Sequence, residues 1–148
     1  MFLLDTSILS ATSPVRTDRN PAFERWLIAA DRLLYLSVVS VSEVQAGIRK
    51  KEREGGHRRA ELLRDWWTAI ETAYSDRILL LDIAAAREAG NIADAARAHA
   101  PGYADIAIAA IARVHGLTVL TANLRHFEPL GVPVANPFVA LPSLPPSA

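Results

Sequence analysis

The chain opens with Phe2-Leu3-Leu4, three apolar residues that run without a break into Asp5-Thr6-Ser7. A short unbroken apolar run is the pattern of a strand buried on both faces, as in the middle of a parallel sheet covered by helices. Asp5 then falls at the carboxyl end of that strand, the edge at which open α/β sheets bind ligands. Two readings of Asp5 stand side by side: a cap for the helix beginning at Thr6 or Ser7, or a member of a site. What decides between them is whether other carboxylates arrive at the same edge.

The remainder of the chain alternates in the way the first run demands. Short apolar segments at Leu33–Ser37, Ile78–Leu81 and Thr118–Thr121 read as further strands, with a short fifth at 132–134. Helical patterns separate them. After a short helix through Leu9 and a polar loop from Thr12 to Arg19, Asn20-Pro21 opens a helix with Phe23, Trp26, Leu27 and Ala30 on one face. A helix from about Ser40 is broken at Gly55-Gly56. From His57 to Tyr74, Leu62, Leu63, Trp66, Trp67 and Ile70 form a broad apolar stripe, and one of the adjacent tryptophans is left to face a partner. Asp82 caps a small-residue helix towards His99. Tyr103 opens another, with Ile106, Ala109, Ala110 and Val114 on its packing face and Gly116 closing it. Strands alternating with helices predict a three-layer α/β/α fold around a mostly parallel sheet with right-handed crossovers.

Composition narrows the chemistry. At 148 residues, 51% of them hydrophobic, the chain fits one core. Sixteen lysines and arginines balance sixteen acids, so no global field draws the protein to a polyanion, and any such site must be local. The absence of cysteine excludes disulfides, thiolate catalysis and cysteine-based zinc sites, and suits a reducing cytoplasm. The N-terminal apolar run is too short for a signal peptide, and the run from Ala104 is broken by Asp105, Arg113 and His115; a soluble cytoplasmic protein is expected.

Three more polar residues fall at strand ends or helix starts: Glu43, Asp105 and Asn123. Ser40 with Glu43 also fits a capping box, and Asp105 suits the dipole of its helix whatever else it does. Together with Asp5, however, four such groups gather along one sheet edge. Three convergent carboxylates repel unless one is protonated or a hard divalent cation sits among them. Oxygen donors without cysteine favour Mg²⁺ or Mn²⁺ over zinc. Such an ion acidifies a bound water and neutralises charge on a leaving oxygen, which points to phosphodiester hydrolysis. The basic residues between Arg49 and Arg64 are interleaved with Glu52, Glu54, Glu61 and Asp65. They read either as a guide for a phosphate backbone or as a solvated helix pair laced with ion pairs.

The runs Leu3-Leu4-Asp5-Thr6-Ser7, Ser40-Val41-Ser42-Glu43-Val44 with Gly47, Ala104-Asp105-Ile106-Ala107-Ile108-Ala109-Ala110 and Thr121-Ala122-Asn123 resemble the successive motifs of the PIN domain. With Gly116–Thr121 and the closing Asn136-Pro137-Phe138, the resemblance is strongest to the VapC toxins of toxin-antitoxin pairs. It spans Met1 to about Phe138, so a nuclease domain is expected over 1–138 and an extended or disordered Pro-rich tail over 139–148. The resemblance implies a Mg²⁺- or Mn²⁺-dependent endoribonuclease that cuts RNA, forms a homodimer and is held inactive by a cognate VapB-type antitoxin. It makes Asp5 and Asp105 the principal metal ligands and Glu43 the remaining acid. Asn123 stands where relatives carry a fourth acid or an asparagine. Arg125-His126-Phe127 departs from a frequent Arg-Asp-Phe and so removes another candidate acid. Ser7 is implied to hold a water or orient Asp5; Thr121 does likewise, or either satisfies backbone.

Two other readings compete. An Asp5 nucleophile, as in haloacid-dehalogenase-like phosphohydrolases, resembles sites that recruit a lysine near a later strand end, and here Lys50 and Lys51 lie on the charged helix. A catalytically silent PIN-like binding module would have no need to hold three mutually repelling carboxylates.

Overall fold

The computed structural model describes residues 1–145. Five parallel strands, β1 Phe2–Leu4, β2 Leu34–Ser37, β3 Ile78–Leu79, β4 Thr118–Leu120 and β5 Val134–Ala135, lie in the order β3-β2-β1-β4-β5. Among the described residues the sheet is wholly parallel. The helices are α1 Thr6–Ala11, α2 Pro21–Ala30, α3 Val38–Arg53, α4 His57–Ala73, α5 Ile83–Ala95, α6 Tyr103–His115 and α7 Leu124–Phe127.

Strand periodicity divides the core into two. Phe2 and Leu4 of β1, Leu34 and Leu36 of β2 and Leu120 of β4 point to one face, where they meet Ile8, Phe23, Trp26, Val44, Ile48 and Trp67. Leu3 and Val119 point to the other, against α5 and α6. The result is the expected α/β/α layering. On the first face, Phe2 meets the Trp26 ring edge-on at a centroid distance of 5.5 Å.

Helix α6 departs from the expected single packing stripe. Ile106 through Ala112 are all buried, whereas Val114 is 42% exposed. The helix is covered by the sheet and by α5, whose Ala85, Ala89, Ile92 and Ala96 belong to the same cluster. Alanines on both helices let the backbones approach closely, which leaves the large side chains Ile108 and Ile111 to fill the space. Burying either contributes about 1.5–3 kcal/mol.

Helix starts and stops follow local chemistry, with some shifts from expectation. Asn20 accepts the Phe23 N–H at 3.1 Å and Pro21 takes the first helical position. Helix α3 begins at Val38, not Ser40: Ser37 is its cap and accepts the Ser40 N–H at 3.0 Å. The segment expected to run on to His99 ends at Ala95 and passes into a 3₁₀ turn over Arg97–His99. The third strand is shorter than expected, and the fifth is shifted to Val134–Ala135. Gly116, at φ 64°, supplies the left-handed residue that ends α6. Of the adjacent tryptophans, Trp67 is 3% exposed and Trp66 half-buried.

The segment after Phe138 has no helix or strand through residue 145, yet it is anchored: the Trp26 indole N–H donates to the Pro142 carbonyl at 2.7 Å, and Leu144 packs on the core. Residues 146–148 of the expected tail lie outside the described residues. No helix among the described residues is long and apolar enough to cross a membrane.

Candidate active site

The sheet order places β1 between β2 and β4, so the chain winds away from β1 in both directions. That makes the carboxyl end of β1 the switch point, where following loops diverge and leave a crevice. Asp5 occupies it. Its amide donates to the Leu120 carbonyl at 2.9 Å and its own carbonyl accepts from Ile8 at 3.0 Å, which fixes the backbone between β1, β4 and α1.

The side chain of Asp5 is 6% exposed and does not cap α1. Instead its Oδ2 accepts from Ser7 Oγ at 2.6 Å and from Thr121 Oγ1 at 2.8 Å. Both hydroxyls also take backbone donors, Ser7 Oγ from Ala122 N at 3.0 Å and Thr121 Oγ1 from Asn123 N at 3.0 Å. The carboxylate is therefore clamped through one oxygen by two groups that the loop after β4 locks in turn.

Glu43 lies in the second turn of α3, so it is out of reach of the capping-box geometry that Ser40-Val41-Ser42-Glu43 suggested. Its Oε2 accepts from Thr6 Oγ1 at 2.5 Å. Burial pushes its carboxyl above the ordinary value, the Thr6 hydroxyl opposes this, and the negative charges of Asp5 and Asp105 add to the rise. Asp105 sits in the first turn of α6, whose N-cap Gly102 offers no side chain. Burial raises Asp105 too; His126 counteracts, while Asp5 reinforces the shift. The His126 Nδ1 lies 3.4 Å from Asp105 Oδ2. The charge of Asp5 thus reaches both Glu43 and Asp105, and that of Asp105 reaches Glu43, with burial the larger cause at each. Asn123 stands at the start of α7, exposed, and its side chain does not cap that helix.

The sequence pattern singled out Asp5, Glu43, Asp105, Ser7 and Thr121, and the fold gathers them at one edge. It missed two partners. Thr6 holds Glu43 across 37 positions of sequence, and His126, noted for the acid it lacks, meets Asp105. Only its adjacency to Asp5 could have drawn attention to Thr6.

The donor set is made of hard oxygens. Among the described residues no three histidine, aspartate or glutamate side chains stand close enough together to hold a metal ion. An open, repelling set suits Mg²⁺, which keeps several waters and needs only one or two carboxylates. Glu43 and Asp105 each line a cavity. One, about 350 Å³, is largely apolar and runs past Glu43, Val44, Ile48, Leu63 and Trp66. The other, about 430 Å³, opens beside Asp105 and His126. Further away, the charged segment on α3 and α4 is laced internally: Arg49 pairs with Glu52 at 2.9 Å, Lys51 with Glu54 at 2.8 Å, and Arg64 also reaches Glu52.

Residues 2–130 match the PIN domain family. The chain is 34% identical to plasmid stability protein StbB of Pseudomonas syringae pv. tomato, over 95% of this chain and 100% of that one. It is 30% identical to VapC ribonuclease Y4jK of Sinorhizobium fredii (93% and 98% covered) and 32% identical to toxin FitB of Neisseria gonorrhoeae (93% and 99% covered). A solved structure of FitAB bound to an IR36 DNA fragment superposes with a TM-score of 0.73 at 31% identity, covering 93% and 96% of the two chains. A switch-point carboxylate cluster on this five-strand sheet, matched along nearly the whole chain by such relatives, places the protein in the PIN-domain family, among the VapC-type toxin nucleases.

Proposed function

We propose that the protein is a Mg²⁺- or Mn²⁺-dependent endoribonuclease, the toxin of a VapBC-type pair, and that Asp5, Glu43 and Asp105 are its working acids. The observation that carries this reading is the clamp on Asp5. Ser7 and Thr121 both bind Oδ2. The carboxylate is thereby held in one orientation with its other oxygen left for a cation. Glu43, fixed by Thr6, and Asp105, beside His126, complete a set whose repulsion a divalent cation relieves. A cation bound there supplies an acidified water and a counter-charge for the leaving oxygen.

The protein's own residues do the rest. Asp5, Glu43 and Asp105 orient the attacking water towards phosphorus, and their fixed positions mean that little reorganisation is needed at the moment of reaction. The water oxygen bonds to phosphorus as the bond to the 3′-oxygen breaks, leaving a 5′-phosphate and a 3′-hydroxyl. Asn123, at the start of α7, lies on the same edge and is assigned a supporting contact to a water beside the substrate. A cytoplasmic homodimer silenced by a VapB-type antitoxin is the setting inferred from the toxin relatives and from the two-component FitAB assembly.

The test is cleavage of total RNA by purified, antitoxin-free protein in Mg²⁺, Mn²⁺ or EDTA, beside Asp5→Asn and Asp105→Asn. Mn²⁺-induced thermal stabilisation is read in parallel. The expected result is metal-dependent cutting to 5′-phosphate ends, lost in both variants together with the Mn²⁺ shift. Ends bearing a 2′,3′-cyclic phosphate overturn the mechanism. A folded wild type that neither cuts RNA nor responds to Mn²⁺ turns the reading to a silent binding module.

A further inference from the structure

The cavity beside Asp105 has a chemistry the carboxylates do not explain. About 430 Å³ in volume, it is lined by His99, Ala100, Gly102, Asp105, Arg125 and His126, among others. That volume lies within the range of small-ligand pockets and accommodates one nucleotide. Beside the start of α6, which supplies Gly102 and Asp105, the cavity draws on two other parts of the chain. His99 and Ala100 belong to the turn after α5, where Ala100 adopts φ 45°, a left-handed conformation that a residue with a Cβ rarely takes. Arg125 and His126 belong to α7, which follows β4.

Three basic or imidazole side chains thus stand around the single acid of this cavity. Arg125 is exposed and, among the described residues, forms no ion pair with a carboxylate within 4.0 Å. The His126 ring is 46% exposed and presents Nδ1 to Asp105, which leaves Nε2 outside that contact. His99 is exposed and lines the same cavity. The cavity beside Glu43 does hold two cations, Arg16 and Lys51, but each is already paired, Arg16 with Asp18 and Lys51 with Glu54 at 2.8 Å, and Val44, Ile48, Leu63 and Trp66 make up much of the remaining wall. An RNA strand entering the site therefore meets its counter-charge on the Asp105 side.

The geometry points to this cavity as the subsite for one unpaired ribonucleotide next to the scissile bond, with Arg125 on its phosphate and the His99 and His126 rings flanking its base. The assignment rests on the nuclease reading above. Flat side chains reach a base when it is splayed from a single strand, loop or bulge. Arg125 and His126 are thus specificity-determining residues.

The experiment uses the full chain carrying Asp5→Asn and measures binding of a fluorescein-labelled single-stranded RNA pentamer by anisotropy in Mg²⁺. Adding Arg125→Ala should raise Kd about tenfold or more, the effect of losing a charged hydrogen bond, and Arg125→Lys should recover part of it. The slope of log Kd against log salt should fall by about 0.7. His126→Ala should raise Kd about fivefold or more, as loss of a stacking face does. Arg59→Ala, on exposed α4, should leave it within about twofold. A blunt duplex of the same sequence should compete poorly. The Arg59, Arg125 and His126 side chains are all exposed, and equal unfolding midpoints check that the variants fold. The subsite alone is overturned if the wild-type chain cuts RNA while Arg125→Ala and His126→Ala bind like their parent, or if duplex competes as well as single strand. A wild type that neither binds nor cuts any RNA overturns the nuclease reading with it.

Discussion

Thr121 tests how firmly the fold holds Asp5. Its side chain is fully buried, donates to Asp5 Oδ2 at 2.8 Å and accepts the Asn123 N–H at 3.0 Å. Valine has nearly the same shape, so Thr121→Val removes the two hydrogen bonds and preserves the packing. A hydrogen bond to a carboxylate contributes about 1.5–3 kcal/mol. Asn123 is exposed, so water takes over its amide at small cost. The methyl that replaces the hydroxyl returns about 0.8 kcal/mol. The net loss expected is about 1–2 kcal/mol, which in a domain of this size lowers Tm by about 2–8 °C. Urea unfolding of metal-free protein measures it, and a double-mutant cycle separates charge from shape. In an Asp5→Asn background the acceptor is neutral, and the loss should fall to about half. If Thr121→Val unfolds with the wild type, or loses the same amount with and without the charge of Asp5, the hydroxyl is not the clamp described here.

Two further outcomes follow from the same structure. Because burial raises the Glu43 and Asp105 carboxyls, the folded protein keeps those protons to higher pH than the unfolded chain does. Metal-free stability should therefore fall as pH rises from the ordinary carboxylate range through the raised folded values, and Glu43→Gln should gain on wild type across that interval; a gap between the two that does not change with pH contradicts the assignment. Trp26→Phe keeps an aromatic ring against Phe2 but deletes the donor to the Pro142 carbonyl, so limited proteolysis beyond Phe138 should accelerate without loss of the core transition, and unchanged cleavage there would show that the anchor is immaterial.

The residues that proved easiest to place were those whose neighbours in sequence are also their determinants. Phe2-Leu3-Leu4 declares a doubly buried strand, Asn20-Pro21 a helix start and Gly116 a helix end, because each depends on local hydrophobicity, capping or backbone freedom. The placement of Asp5 and Asp105 at one edge was legible for a related reason: strand-helix alternation dictates which edge of the sheet they reach. Where the local signal allowed two outcomes, sequence could not choose. Ser40 followed by Glu43 satisfies a capping box on paper, but the helix start is fixed at Ser37 by tertiary placement, and Glu43 moves to the second turn, where Thr6 waits.

The chain by itself thus determined the layered α/β class, the winding and the edge on which acids collect, since all of these follow from periodicity and connectivity. Only the tertiary structure decided that Val114 faces solvent while α6 is buried nearly all round, that two hydroxyls rather than a helix amide hold Asp5, and that His126 comes to Asp105. Those contacts join residues far apart in sequence, and no local propensity encodes the packing of one layer on another that brings them together.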